Sequence, residues 1–498
     1  MSKNNEPNPS WMNWAVGVTI FLAALVPRLW ALNWALPLRT GHVDEAVVVF
    51  YSLRVVSGDP NPRVFFDYPG FFLYLLAAVF KVSLALLRLV GRTVPPNDQV
   101  FSTYTLGGGL SFLLLESRAV SAVLSAVLAP LLYRVGKGRW GLWAGLTAAS
   151  LWAVNPLAVA QAHYATVDTT AALLTFLAVE RLVRYLDGGA RRDGMWASVF
   201  TGLGAATKYY PGVLAAFLAA AAFRRDPRPR RTAGLFVLTA VGVFSAASPY
   251  TVLEAGAFAG RFMHIFRAVI GGGGGGTTMF VPTLAGLWQN MGVVALLASA
   301  FGAALFMKSS SDGDRLLSWV AIFLILFVGM WRVQLPHYAL AAYPLLFLAA
   351  GRAVVEAGRR RRFLAPAAAV LLTLAAVPGT VRYLRRISVP DTRLRALAWA
   401  REVLPPGSRV LRFARTPEFS PRDPFAVTVD WENQRLASGP GTLDAAGFDT
   451  VWYGTYDPSE DPIPQALSAR FHLLKSFDDP KPSFPHHPAV YVFSRKEG

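Results

Sequence analysis

Residues 14–32, 120–132, 234–247 and 318–330 are apolar runs that approach the roughly 20 residues an α-helix needs to cross a bilayer. A chain with several such runs has few ways to fold, because lipid offers no partner for exposed backbone and only helices or closed barrels survive in it. Composition agrees: 54% of the 498 residues are hydrophobic, 16% are charged, and the mean hydropathy is +0.38. Most of the chain is therefore solvated by lipid. The net charge of +18 does not argue for nucleic acid, since the basic residues fall in short clusters between the apolar runs. With no cysteine, a disulfide framework and a thiolate metal site are both excluded. The polar residues 1–10 precede a long apolar run without a small-residue cleavage site, which predicts a retained first span with the N-terminus in the cytoplasm.

Five basic clusters set the orientation: Arg134, Lys137 and Arg139; Arg181, Arg184, Arg191 and Arg192; Arg224, Arg225, Arg228, Arg230 and Arg231; Lys308 and Arg315; and Arg352 with residues 359–362. The positive-inside rule puts all five in the cytoplasm, so an even number of crossings joins each neighbouring pair. Residues 195–207 and 213–223 are too short for two full spans and read as a broken pair meeting near Lys208. Residues 71–89 contain Lys81 and Arg88, and parity makes them a helix lying in or dipping into the outer interface. The expected fold is a polytopic α-helical membrane protein with about eleven crossings plus this interfacial helix. Residues 1–387 form its membrane domain, with 33–111 as the first outer loop. Residues 388–498 form a small α/β domain outside the plasma membrane. That domain opens with a helix over 392–403, followed by strands at 409–413, 425–429, 450–453, 471–477 and 489–494.

The outer loops then hold the charges that topology does not require. The first contains His42, Asp44 and Glu45, then Asp67, Tyr68, Pro69 and Gly70; a place in a first helical turn is the bland alternative for the acidic pair. The second, 155–168, contains His163 and Asp168, the latter a plausible helix cap. Lys208 and Tyr209 lie between two apolar half-segments, where an ammonium needs an anionic partner or must reach the interface. Arg118 begins the helix after the first loop, and Arg332 and His337 flank another outer surface. Together Arg118, Lys208 and Arg332 can surround a phosphate, while Asp44 can deprotonate a hydroxyl. A divalent metal held by His42, Asp44, His163 and Asp168 stays open, since their spacing specifies nothing. The glycine run 271–276 follows no strand and lacks a P-loop lysine, so it reads as a flexible loop placed to act as a lid. Residues 457–461 are acidic enough to suggest a cation, and a solvated loop explains them better.

The order of these residues resembles the GT-C superfamily of glycosyltransferases, in the branch of the protein O-mannosyltransferases and lipid A aminoarabinose transferases. The elements are Asp44-Glu45 after the first span, Tyr68 to Gly70, Arg118, Asn155-Pro156 to Asp168, residues 202–208, and Leu335-Pro336-His337-Tyr338 to Tyr343-Pro344. The resemblance covers roughly residues 12–385. It implies a hexosyl or pentosyl transferase that takes a sugar from a polyprenyl-phosphate donor to a protein, lipid or glycan acceptor outside the cytoplasm, with inversion. It also implies Asp44 as base with Glu45 beside it, Asp168 as a second acidic position, and Lys208 near the lipid phosphate. The chain departs from the family at Pro69-Gly70, where Pro-Pro is common, and at His163 and His337, where Arg is common. These departures bear on the substrate more than on the fold. Two other functions fit broken helices with embedded charges: a transporter or lipid flippase, and a non-catalytic assembly subunit. The absence of an internal repeat and the gathering of these charges on the outer side favour the enzyme.

Overall fold

The computed structural model describes residues 10–38, 41–63, 65–106, 110–272, 279–420, 423–430, 447–456, 463–464, 467–468, 471–478 and 486–495. Residues 273–276 of the glycine run and the acidic stretch 457–461 lie outside the described residues. Two compact units emerge. One comprises Met1–Leu32, Val48–Gly107 and Glu116–Leu384; the other comprises Asn33–Val47, Gly108–Leu115 and Arg385–Gly498.

The first unit is helical. Phe71–Leu89, Ser111–Trp140, Val281–Met307, Pro336–Arg360 and a helix over Leu364–Ile387 are each long and apolar enough to cross a membrane. The helices Leu142–Val154 and Pro156–Ala162, bent by 55° at Asn155, make a sixth candidate if taken as one span. Other helices in the expected count carry more charge, such as Asp168–Gly188 with Asp168, Glu180, Arg181, Arg184 and Asp187. The chain is a multi-pass membrane protein. Its central element is Pro336–Arg360, 83% of whose apolar window is buried, against 28% for Val281–Met307, which turns Leu297 and Phe301 outward. Close backbone approach makes that burial possible. A Cβ on Gly302 would collide with the Ala349 carbonyl oxygen, and one on Gly351 with that of Ala144, so small residues set the helix spacing.

Three local expectations change. The helix carrying Arg118 starts at Leu110, because the apolar residues before Arg118 are helix formers themselves; Arg118 lies in its third turn rather than at its head. The loop expected over 155–168 contains the Pro156–Ala162 helix, started by Asn155, whose side chain accepts from the Ala158 N–H at 2.9 Å, with Pro156 in the first position. Asp168 is the first residue of its helix, which begins without a side-chain cap.

The five basic clusters meet at one end of this unit. Arg139 pairs with Asp187 and Asp314, each at 2.6 Å, Arg224 pairs with Asp312 at 3.1 Å, and Arg191 pairs with Asp226 at 3.1 Å. One cavity brings Arg352 and Arg359 alongside Lys308 and Arg139. These pairs, partly buried to exposed, fix which helix ends share a side.

The second unit holds a five-stranded sheet in the order β2-β1-β3-β5-β4, from β1 (Arg409–Phe413), β2 (Ala426–Asp430), β3 (Thr450–Thr455), β4 (Phe471–Phe477) and β5 (Ala489–Arg495). β1 runs parallel to β2 and β3, whereas β5 runs antiparallel to β3 and β4. Alternation along the strands sends Val410 and Trp452 to one face, against Ala396 and Ala400 of the Thr392–Val403 helix, and Leu411, Val451 and Tyr453 to the other. Asp391 starts that helix by accepting from the Arg393 N–H at 2.9 Å, and it also pairs with the Arg393 guanidinium at 2.8 Å. Burial alone would raise the Asp391 pKa, but the Arg393 charge and hydrogen bonds outweigh it and hold the carboxyl at about 2.

Because the chain has no cysteine, single thiols report sidedness cleanly. Ser310 and Val333 flank the Asp312–Gly329 helix, about 27 Å long by its rise per residue. In sealed vesicles, an impermeant maleimide should label Ser310→Cys and Val333→Cys from opposite sides. Labelling of both from one side would refute the arrangement.

Candidate functional site

The Arg191–Thr207 helix stops at Lys208, whose backbone turns extended (φ −148°, ψ 136°), and the chain resumes through a 3-10 turn, Tyr210–Val213, into the helix Leu214–Arg225. Pro211 helps explain the break: it donates no hydrogen bond and disfavours helix in the residue before it. Lys208 is therefore held between two helices rather than on the face of one. Its ammonium lies 2.7 Å from Oδ1 of Asp168, at the start of the Asp168–Gly188 helix, where the dipole favours a carboxylate. Only 12% of the Lys208 side chain and 5% of that of Asp168 are exposed. The Lys208 Nζ also sits 4.8 Å from the ring centroid of Tyr338 and 5.9 Å from that of Tyr210. The carboxylate expected to cap a helix serves a charge 40 residues away.

Beside the break, Tyr209 donates to the Phe66 carbonyl oxygen at 2.7 Å and packs its ring on Phe262 and Phe258. Phe66 also meets Phe258, and Asp67 pairs with Arg261 through two hydrogen bonds, one of 2.8 Å to Nη2 and a shorter one to Nε. The Gly70 N–H donates to Ser248 Oγ at 2.9 Å. The segment containing Tyr68, whose ring is edge-on to Phe65, is thus fastened to residues 248–262 next to Lys208.

The remaining expected residues are distributed as follows. Arg118 is fully buried and donates to the Leu32 carbonyl oxygen at 2.9 Å. The two ring nitrogens of His163 face the carbonyl oxygens of Val159 and Trp30 at 2.8 and 2.9 Å, so neither ring nitrogen is turned toward a metal. Arg332 is exposed, and its N–H donates to the Val269 carbonyl oxygen at 2.9 Å, just ahead of the glycine run. His337 stacks edge-on against Tyr338, at 4.8 Å between centroids. In the second unit, Asp44 and Glu45 occupy the first turn of the Val43–Val56 helix; Glu45 is fully buried, Asp44 is half-buried, and the Asp44 N–H donates to Nδ1 of His42 at 3.2 Å. Among the described residues, no three His, Asp or Glu side chains come together as a metal-binding group.

Sequence reasoning gave no role to Tyr338, Asp67 or Arg261. Tyr338 and Asp67 stand inside motifs already singled out, and Arg261 lies on the amphipathic helix Ala255–Phe266, which has no buried residue of its own. A charge on such a helix is a signal for a partner elsewhere.

Residues 110–252 match the family model described as dolichyl-phosphate-mannose-protein mannosyltransferase. Two solved structures are similar over nearly the whole chain, both ArnT from Cupriavidus metallidurans. In the apo state it is 14% identical with a TM-score of 0.57, covering 96% of this chain and 98% of that one. Bound to undecaprenyl phosphate it is 12% identical with a TM-score of 0.59, covering 97% and 98%. No curated protein matches the sequence. The chain shares the fold of these two ArnT structures.

Removing one member of a buried ion pair leaves an uncompensated charge, at a cost of about 3–5 kcal/mol. Lys208→Met and Asp168→Asn should each lower thermal stability in detergent, and the double variant should be less destabilised than the sum of the two. Strictly additive losses would mean that the pair does not act as a unit.

Proposed function

We propose that the chain is an inverting glycosyltransferase that moves a sugar from a polyprenyl-phosphate donor to an acceptor on the outer side of the membrane, the side opposite the basic clusters. The observation that carries this reading is the ammonium of Lys208. It is shielded by two aromatic rings at a helix break, and the described contacts use one of its three N–H donors, the one given to Asp168. Such a group suits an oxyanion that gains charge as the reaction proceeds. The GT-C fold and the undecaprenyl phosphate bound to the structurally similar ArnT support the choice of donor.

The chemistry asks little of the protein. An acceptor O–H attacks the anomeric carbon from the face opposite the phosphate, the bond from that carbon to the phosphate oxygen breaks, and the electron pair leaves with the polyprenyl phosphate. The leaving phosphate goes from one formal negative charge to two, which Lys208 stabilises. In this reading Asp44 takes the acceptor proton; the assignment rests on its place in the sequence pattern. Asp168 holds the ammonium in place, so that little reorganisation accompanies charge transfer. Arg118, with its guanidinium engaged by a backbone carbonyl oxygen, supports the protein framework in this account.

Purified protein in lipid nanodiscs, given a panel of radiolabelled polyprenyl-phosphate sugars, should consume at least one donor. Asp44→Asn should abolish turnover while keeping donor affinity, and Lys208→Ala should weaken donor affinity about tenfold or more, roughly 1.4 kcal/mol. No donor consumed while a solute crosses a sealed bilayer would overturn the enzyme reading in favour of transport. Normal turnover in Asp44→Asn would remove Asp44 as base.

A further inference from the structure

A second polar site lies at the other end of the membrane unit. A cavity of about 560 Å³ is lined by the basic side chains of Arg139, Lys308, Arg352 and Arg359 and by only two carboxylates, Asp314 and Glu356. The carboxylates are already engaged. Asp314 is held by Arg139 at 2.6 Å and by Ser309 Oγ at 2.9 Å, and Glu356 is shared between Arg352 at 2.8 Å and Arg359 at 3.0 Å. The Lys308 ammonium has no ion pair or hydrogen bond among the described residues. The cavity therefore presents surplus positive charge, and its size suits a small anionic headgroup.

Its other walls are apolar. Leu305, Val355 and Trp140 line it, and Leu305 follows Phe301 by four residues, on the same outward face of the lipid-facing Val281–Met307 helix. Cationic groups beside an apolar wall at a helix end match an amphipathic anion better than a soluble one, and tryptophan is at home at that depth. The cavity is also remote from Lys208. Asp187, joined to Arg139, is 19 residues from Asp168 along one helix, about 28 Å at 1.5 Å per residue. A lipid held here is not the sugar donor.

We propose that this cavity is a binding site for the phosphate headgroup of an anionic phospholipid of the leaflet on the side of the basic clusters. The phosphodiester oxygens accept from Lys308, Arg352 and Arg359, and the first part of an acyl chain lies along Leu305 and Trp140. The same chemistry would be offered by a soluble phosphate, and the experiment separates the two sources.

Full-length protein is placed in phosphatidylcholine nanodiscs containing a small fraction of phosphatidylglycerol, and the lipid retained after release is counted by native mass spectrometry. Wild type should retain phosphatidylglycerol in preference to phosphatidylcholine. Lys308→Ala and Arg359→Ala should each lower that retention about fivefold, near the 1 kcal/mol expected for one basic residue at a membrane surface. Lys308→Arg should preserve it. Thermal unfolding in phosphatidylcholine alone checks that each variant is folded, since both side chains are exposed and distant from Lys208. Retention equal to that of phosphatidylcholine, or unchanged by both alanine substitutions, overturns the proposal. Protection from unfolding by inorganic phosphate, without retained phosphatidylglycerol, would assign the cavity to a soluble anion and also overturn it.

Discussion

Lipid cannot solvate an ionised side chain, so each charge in a membrane-spanning unit must reach one end of its helix or find a partner on the way. The first unit obeys this closely. The Asp168–Gly188 helix carries Asp168 at one end, paired with Lys208, and Asp187 at the other, paired with Arg139. Between them, Glu180 is buried but engaged by Arg184 and Arg181. Two polar ends result, with different chemistry. One gathers arginines from all five clusters with their carboxylates; the other holds, at Lys208, a shielded ammonium among tyrosines.

The difference between the ends gives the Lys208 end its functional interest. Buried ion pairs are seldom worth keeping for stability, because desolvation consumes most of their attraction. A break in a helix is likewise unfavourable unless it positions something. Here the break at Lys208, the start of the Asp168 helix and the 3-10 turn carrying Tyr338 converge on one cation. The segment with Asp67 is fastened beside it by Arg261, and Tyr209 at the break packs on the phenylalanines of the same helix. That convergence suits a site that stabilises a departing phosphate.

Much of the architecture was legible in the amino-acid order because it depends on local patterns. The helix at Thr392–Val403 and the strands at Arg409–Phe413 and Phe471–Phe477 fall where caps, prolines and alternation place them, and the break at Lys208 follows from two apolar segments too short to span. Partnerships were legible only when local. Asp168 reads as a cap from its neighbours, yet its partner is 40 positions away; Asp67 and Arg261 are separated by 194. Arg118 shows a related limit. Its place just before the apolar run 120–132 suggests a helix head, but the apolar turns before it extend the helix, and its guanidinium donates to a carbonyl oxygen inside the unit. Spacing reveals that an embedded charge needs a partner, without revealing which.

The central claim is that a polyprenyl phosphate is recognised at Lys208. A density map of the protein with polyprenyl phosphate retained in nanodiscs tests it most directly. The account predicts phosphate density within hydrogen-bond reach of the Lys208 ammonium, on the side lined by Tyr338, with Asp168 still close to the lysine. Phosphate density elsewhere, with the Lys208–Asp168 pair unchanged and closed to ligand, would contradict it.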